Sequence, residues 1–429
     1  MTRPDGTILM LSTHGYVAAE PELGKPDTGG QVVFVLELAK HFAELGYRVD
    51  VVTRRFENQP AEDVIDERLR VWRIPFGGPA FVRKEDMHDH LEEFERHFLT
   101  AVADRGIRYD VVSSHYWDAG WSGQHIAAEL DIPHVHTPHS LGAWKRERME
   151  APMDELERTY RFRERERKEF LIFSRADHII ATSHEQVDLI RQMYETPADH
   201  LTMIPPGIDD QRFTPVQKSE IVRLHRRFRF RRHDVYTVGR AAHNKGNDLL
   251  IKALPALRDL VPDARLQMAV GADSPRDRRK VRQLRDQAHH LGVADQVHWL
   301  GYVADDVMAD RYRAAPVFAL PSRYEPFGMT AVEAMACGTP TVITTHGGLQ
   351  ELIGFGEHAL FADPKRPAEF AAMLAMPLRY PRLAERLSIR GARFARREFG
   401  WRGIARRTLA VFERFREEYA DRAALTDHG

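Results

Sequence analysis

Short continuous apolar runs alternate along the chain with stretches whose apolar residues recur at helical spacing. Thr7–Thr13 (TILMLST) reads as a buried strand, followed by a Gly-rich turn and a helical pattern over Gln31–Leu45. Arg48–Thr53 is the next strand, and Leu69–Ile74, Tyr109–His115, Pro133–Thr137 and His178–Thr182 continue the series, with helical patterns between most of them. This alternation predicts a parallel, doubly wound α/β sheet. The run Ile204-Pro205-Pro206-Gly207-Ile208 breaks it. After a charged helical stretch a second series begins at Asp234–Val238 and passes through Arg265–Val270, Gln296–Leu300, Pro316–Leu320, Thr339–Thr344 and Ala359–Ala362. Two such series imply two Rossmann-like domains facing across a cleft, over 1–206 and 207–400. The stretch 401–429, led by the charged amphipathic pattern Trp401–Arg422, either crosses back to the first domain or lies on the surface as an ordinary helix.

Composition narrows the class. A chain of 429 residues suits two domains or three, and 43% hydrophobic content supplies ordinary cores. With 62 basic against 63 acidic residues, no overall field favours nucleic acid, although a local basic pocket for phosphates is compatible. The one cysteine, Cys337, leaves no disulfide framework within the chain, which fits a reducing compartment. The first residues lack the apolar segment of a signal peptide, and no run of 18 apolar residues offers a membrane span. The expectation is a cytoplasmic protein acting on small molecules, without nucleic-acid partners. Nothing in the sequence fixes its oligomeric state.

Four places carry candidate chemistry. Thr28-Gly29-Gly30-Gln31 precedes a helix whose first N–H groups suit an anion; a tight turn that needs glycine is the alternative. Val238-Gly239-Arg240 and His243-Asn244-Lys245-Gly246 put two cations at the carboxyl edge of a parallel sheet, where they can neutralise a departing diphosphate or else remain a solvated pair. In Glu325-Pro326-Phe327-Gly328-Met329-Thr330-Ala331-Val332-Glu333 a helix begins near Gly328 and Met329. Its two acceptor-only carboxylates can take the hydroxyls of a sugar and a ribose, or merely suit a helix start. The fourth group gathers in the first domain: His139, with Ser140, Leu141 and Gly142, Lys145, Lys84, Tyr116, and the charged helix bearing Arg163, Arg165 and Glu169. A solvated face is the simple account of that helix.

The string EPFGMTAVEAMACGTPTV resembles the E-x7-E signature of the retaining glycosyltransferases of family 4, which have the GT-B fold. The likeness runs from Leu9 to about Arg396. PDTGGQVVFVLELAK, RIPFGG, KED, TPHSLGAWK and IPPGID look like the sucrose-phosphate synthase group, whereas STHGYV, HGGL and HALFADP look more like the mannosylfructose-phosphate synthases. The latter group implies transfer of mannose from GDP-mannose to fructose 6-phosphate. Against it, Glu351 in GGLQELI is similar to sucrose-type enzymes, which implies UDP-glucose as the other donor.

The resemblance also implies roles. Gly30, Gly239, Arg240, Lys245, Glu325, Phe327, Gly328, Met329 and Glu333 would hold the donor, with Glu325 on the sugar, Glu333 on the ribose, and Arg240 and Lys245 on the diphosphate. Gly30, Gln31, Lys84, Tyr116, Lys145, Arg163 and Arg165 would hold the acceptor. His139, Arg240, Lys245 and Glu325 would act at the reacting centre. No cofactor beyond the nucleotide sugar, and no metal, is expected, because fixed cations can substitute for Mg²⁺. A sugar-nucleotide epimerase, a phosphorylase and a non-catalytic sugar-phosphate sensor are the competing classes, since a fold alone does not separate them.

Overall fold

The computed structural model describes residues 6–20, 27, 29–149, 152–272, 275–325 and 327–426. The chain forms two compact units, Met1–Pro206 with Trp401–Gly429, and Gly207–Gly400.

The first unit is built on an eight-stranded sheet: β1 (Thr7–Leu11), β2 (Arg48–Arg55), β3 (Glu62–Val64), β4 (Leu69–Pro75), β5 (Val111–His115), β6 (His134–Thr137), β7 (His178–Ala181) and β8 (Leu201–Met203). Their order is β3-β4-β2-β1-β5-β6-β7-β8. Every pair is parallel except β3–β4, which is antiparallel, so the wholly parallel expectation fails at this edge. β3 is Glu-Asp-Val, too polar to read as a strand; pairing to β4 alone makes it one. β8 was likewise not foreseen, being three half-buried residues.

β1 shows how the layers form. Successive side chains of a strand point to opposite faces. Ile8 and Met10 therefore pack with Val35, Phe42, Phe412 and Phe415 on one face. Leu9 and Leu11 pack with Phe94, Phe98 and Trp117 on the other. The helix Trp401–Thr426 belongs to this first face: Phe412 lies 5.6 Å from Phe42, Trp401 meets Phe34 edge-on at 5.2 Å, and Tyr47 donates to Glu413. Each such buried aromatic contributes about 1.5–3 kcal/mol over leaving it in water.

The second unit carries six strands: β9 (Asp234–Arg240), β10 (Arg265–Gly271), β11 (Val297–Trp299), β12 (Val317–Leu320), β13 (Thr341–Thr344) and β14 (Leu360–Ala362). They run parallel in the order β11-β10-β9-β12-β13-β14. The order reverses between β9 and β12, so the loops leaving those two strands diverge from neighbouring carboxyl ends. Such a switch point is where open α/β sheets bind ligands. Among the described residues no helix is long and apolar enough to cross a membrane.

Candidate functional site

In the second unit, glycines let the loops after β9 and β12 touch. Gly246 has φ +64°, and a Cβ there would stand 1.9 Å from the Pro321 carbonyl oxygen, so only glycine fits. The Arg323 N–H donates to the Asn244 carbonyl at 2.8 Å. The Arg323 guanidinium donates to both Asp248 oxygens at 2.6 Å and to the His243 carbonyl at 2.9 Å. With the loops braced, Lys245 Nζ donates to Glu325 Oε2 at 2.7 Å, and Ser322 Oγ donates to the same oxygen at 2.9 Å. Glu325 is 8% exposed. Its N–H donates to the His346 carbonyl at 3.0 Å, and a Cβ at Gly347 would come within 2.4 Å of the Glu325 carbonyl oxygen.

Gly328 caps the helix Met329–Ala336 at φ +99°, where a Cβ would also press on Leu320 at 2.9 Å. Pro326 lies outside the described residues, as does Thr28 of the first motif. Phe327 is buried edge-on against Phe399 at 5.4 Å, so its ring serves the core and only its backbone is left for a ligand. Met329, partly buried, packs against the same cluster. Glu333 accepts from the Tyr312 hydroxyl at 2.9 Å. Burial pushes its carboxyl up to about 7, against the pull of Tyr312 and Arg212. Arg240 is exposed beyond Gly239 and has no carboxylate partner among the described residues. Of the two candidate diphosphate-binding cations, Lys245 is paired with Glu325, and Arg240 has no carboxylate partner among the described residues.

In the first unit, Gly30 opens the helix Gly30–Glu44 and Gly29 caps it at φ −147°. That backbone suits any residue, and among the described residues a Cβ at either glycine would meet nothing within 4 Å. Gln31 Nε2 donates to Ser12 Oγ and to the His115 carbonyl, both at 3.3 Å. His139 has φ +56°, and its Nε2 shares a hydrogen bond with His115 Nδ1 at 3.0 Å. Burial and the charge of His14 lower His139 to about 3, so it is neutral at ordinary pH.

Lys84, Glu85, Trp117, Lys145, Tyr160, Phe162 and Arg165 line a narrow hollow, too tight in this conformation to admit a water molecule. Its three cations differ in state. Lys84 donates to Asp27 through Nζ and, at 3.1 Å, through its N–H. Burial raises Asp27, but Lys84 outweighs it and holds that carboxyl below its ordinary value. Arg165, 4% exposed, donates to Glu169 at 2.8 Å, to the Tyr116 hydroxyl at 3.1 Å and to the Ser140 carbonyl at 3.0 Å. Lys145 sits over the Tyr160 ring at 4.7 Å with no carboxylate partner among the described residues. Burial, with the charge of Arg165, lowers its ammonium below the usual lysine range.

Arg163 does not join this group. It stands on the exposed face of the helix Phe162–Arg175, because residues two apart on a helix point away from each other. It is not among the residues that line the hollow with Arg165. Sequence reading also missed Asp27, Asp118 and the Asp248–Arg323 brace. Asp118 follows Tyr116 by two residues at a strand–helix junction, a signal that was available; Asp27 carried none, since its partner is 57 positions away.

Residues 28–212 match the family described as Glycosyltransferase Family 4, and residues 226–394 that described as Glycosyl transferases group 1. A mannosylfructose-phosphate synthase of Agrobacterium fabrum is 48% identical over 412 residues, covering 95% of this chain and 91% of the relative. A D-inositol 3-phosphate glycosyltransferase of Xylanimonas cellulosilytica is 34% identical over 416 residues, covering 94% and 96%. The solved sucrose-phosphate synthase of Thermosynechococcus elongatus superposes with a TM-score of 0.75 at 27% identity, covering 95% of this chain and 98% of that one.

Proposed function

This chain belongs to glycosyltransferase family 4, and from that premise we propose that it transfers mannose from GDP-mannose to fructose 6-phosphate with retention at the anomeric carbon. The observation that carries the donor half is the Lys245–Glu325 contact at 2.7 Å, with Arg240 at the end of β9 lacking a carboxylate partner among the described residues. A donor displaces that contact: its sugar hydroxyls donate to Glu325, and Lys245 and Arg240 turn to the diphosphate. Glu333 offers its carboxylate to the ribose. N–H groups at the start of the helix Met329–Ala336 add donors to the phosphates.

The acceptor half rests on Lys145. Lys84 and Arg165 already hold carboxylates, so Lys145 is the cation in the hollow left for a phosphate dianion. Gly30 and Gln31, at the start of the helix Gly30–Glu44, let the acceptor approach the backbone closely. The acceptor hydroxyl attacks the anomeric carbon on the face from which the nucleoside diphosphate departs. That diphosphate takes the hydroxyl proton, so no protein nucleophile is needed. Arg240 and Lys245 stabilise the charge developing on it, a role that fixed cations perform without Mg²⁺.

The similarity to mannosylfructose-phosphate synthase favours this pair of substrates. Transfer from UDP-glucose, as in sucrose-phosphate synthesis, is the second reading, favoured by Glu351 in the turn Gly348–Glu351. The test crosses GDP-mannose, UDP-glucose, ADP-glucose and GDP-glucose with fructose 6-phosphate and fructose, with and without EDTA. Product identity and released nucleotide are read. Fastest turnover with UDP-glucose would select the second reading, and turnover abolished by EDTA would end the metal-free claim.

A further inference from the structure

Outside the donor and acceptor residues already described, the first unit buries a further His–Asp pair. His14 Nδ1 lies 2.8 Å from Asp118 Oδ2 and 3.0 Å from Oδ1, and Thr13 Oγ1 donates to the same carboxylate at 2.5 Å. Asp118 is 0% exposed and His14 is 4% exposed. A carboxylate so deep is stable only with such donors. In the uncharged ring this pairing puts the proton on Nδ1. Its Nε2 then carries a lone pair, and it has no hydrogen-bond partner among the described residues.

The ring stands edge-on to Tyr116 at 4.8 Å, the residue whose hydroxyl Arg165 holds. His14 is thus one contact, through Tyr116, from Arg165 in the lining of the hollow. Thr13 alone would suffice to tie the end of β1 to the helix Trp117–Leu130. A ring with a free acceptor nitrogen adds something that a tie does not need.

We propose that His14 accepts a hydrogen bond from a non-reacting hydroxyl of the sugar-phosphate acceptor through Nε2, and that Asp118 is the positioning residue that fixes its tautomer. His14 would thus set acceptor specificity. The inference rests on the sugar-phosphate reading of the hollow above. Sites built to accept from a substrate hydroxyl discriminate strongly against analogues that lack or misplace it.

The test uses the full chain with fructose 6-phosphate, 1-deoxyfructose 6-phosphate, and the C3 and C4 epimers psicose 6-phosphate and tagatose 6-phosphate. One of these analogues is expected to be at least tenfold poorer in kcat/KM for the wild type. His14→Phe keeps the aromatic contact with Tyr116 and is expected to raise the fructose 6-phosphate KM at least tenfold, leave the donor KM unchanged and erase that discrimination. His14→Gln, which retains an acceptor oxygen, is expected to restore part of it, and Asp118→Asn to weaken it. Unchanged discrimination in His14→Phe overturns the proposal. If His14→Phe does not fold, His14→Ala is read by the same comparison. Failure of the function reading would show separately, as no transfer by the wild type to any of the four acceptors.

Discussion

Lys245 and Glu325 stand 80 positions apart in the chain and meet at 2.7 Å, because Gly246 and the Arg323–Asp248 pair bring two strand-end loops into contact. In the absence of a donor each holds the other in place. Glu325→Gln is expected to lower kcat by roughly 10²- to 10³-fold, the scale seen when one preorganised polar group is removed. Its melting temperature should stay close to wild type, since Ser322 and Lys245 keep an oxygen to bond. Steady-state kinetics beside thermal melting checks both halves.

Lys145 is the acceptor-side counterpart. A hydrogen bond to a charged group contributes about 1.5–3 kcal/mol, or roughly 10- to 100-fold. Lys145→Ala should raise the fructose 6-phosphate KM by that factor and leave the donor KM alone. An equal effect on unphosphorylated fructose would show that Lys145 does not read the phosphate.

Arg163 and Arg165 should separate cleanly. Arg165→Ala leaves the buried Glu169 without its cation and is expected to destabilise the fold by about 3–5 kcal/mol. Arg163→Ala, on the exposed face, should alter stability by less than about 0.5 kcal/mol and the acceptor KM by less than about twofold. Denaturant titration and acceptor kinetics test the pair.

Two glycines make a second contrast. Gly30→Ala places its methyl in open space, so stability should hold while transfer falls because the substrates lose their approach. Gly347→Ala drives a methyl into the Glu325 carbonyl and should lower the melting temperature as well as activity. A fully active Gly30→Ala enzyme would remove the case for close substrate approach there.

Glu333 gives a pH signature. Its carboxyl is pushed from an ordinary 4.5 to about 7 in the fold, so the folded state prefers the protonated form. Stability contributed by this group is present at low pH and lost as pH rises from 4.5 through 7. Glu333→Gln should therefore melt above wild type at pH 8 and level with it at pH 4. The donor KM of the wild type should fall as pH rises through 7, when the carboxylate forms, and that of the variant should be flat.

The fold was largely legible because a parallel strand buried on both faces writes itself as an uninterrupted apolar run, as in TILML. Glu62–Val64 was not legible, since an edge strand of polar residues exists only through its partner. The donor loop was legible because Glu325, Gly328 and Glu333 lie within one short string. Lys84, Tyr116, Lys145, Arg163 and Arg165 were candidates only through family likeness, and linear spacing hides that Arg165 is buried while Arg163 is exposed.

By itself the sequence determined the two Rossmann-like series, the family and the candidate residues of the second unit's site. These depend on local periodicity and short strings. Only the tertiary structure decided which charges are already spent. Lys84 is held by Asp27, Arg165 by Glu169 and Lys245 by Glu325, while Lys145 and Arg240 have no carboxylate partner among the described residues. The pairing of a charge depends on neighbours brought in from distant parts of the chain, and no local pattern records them.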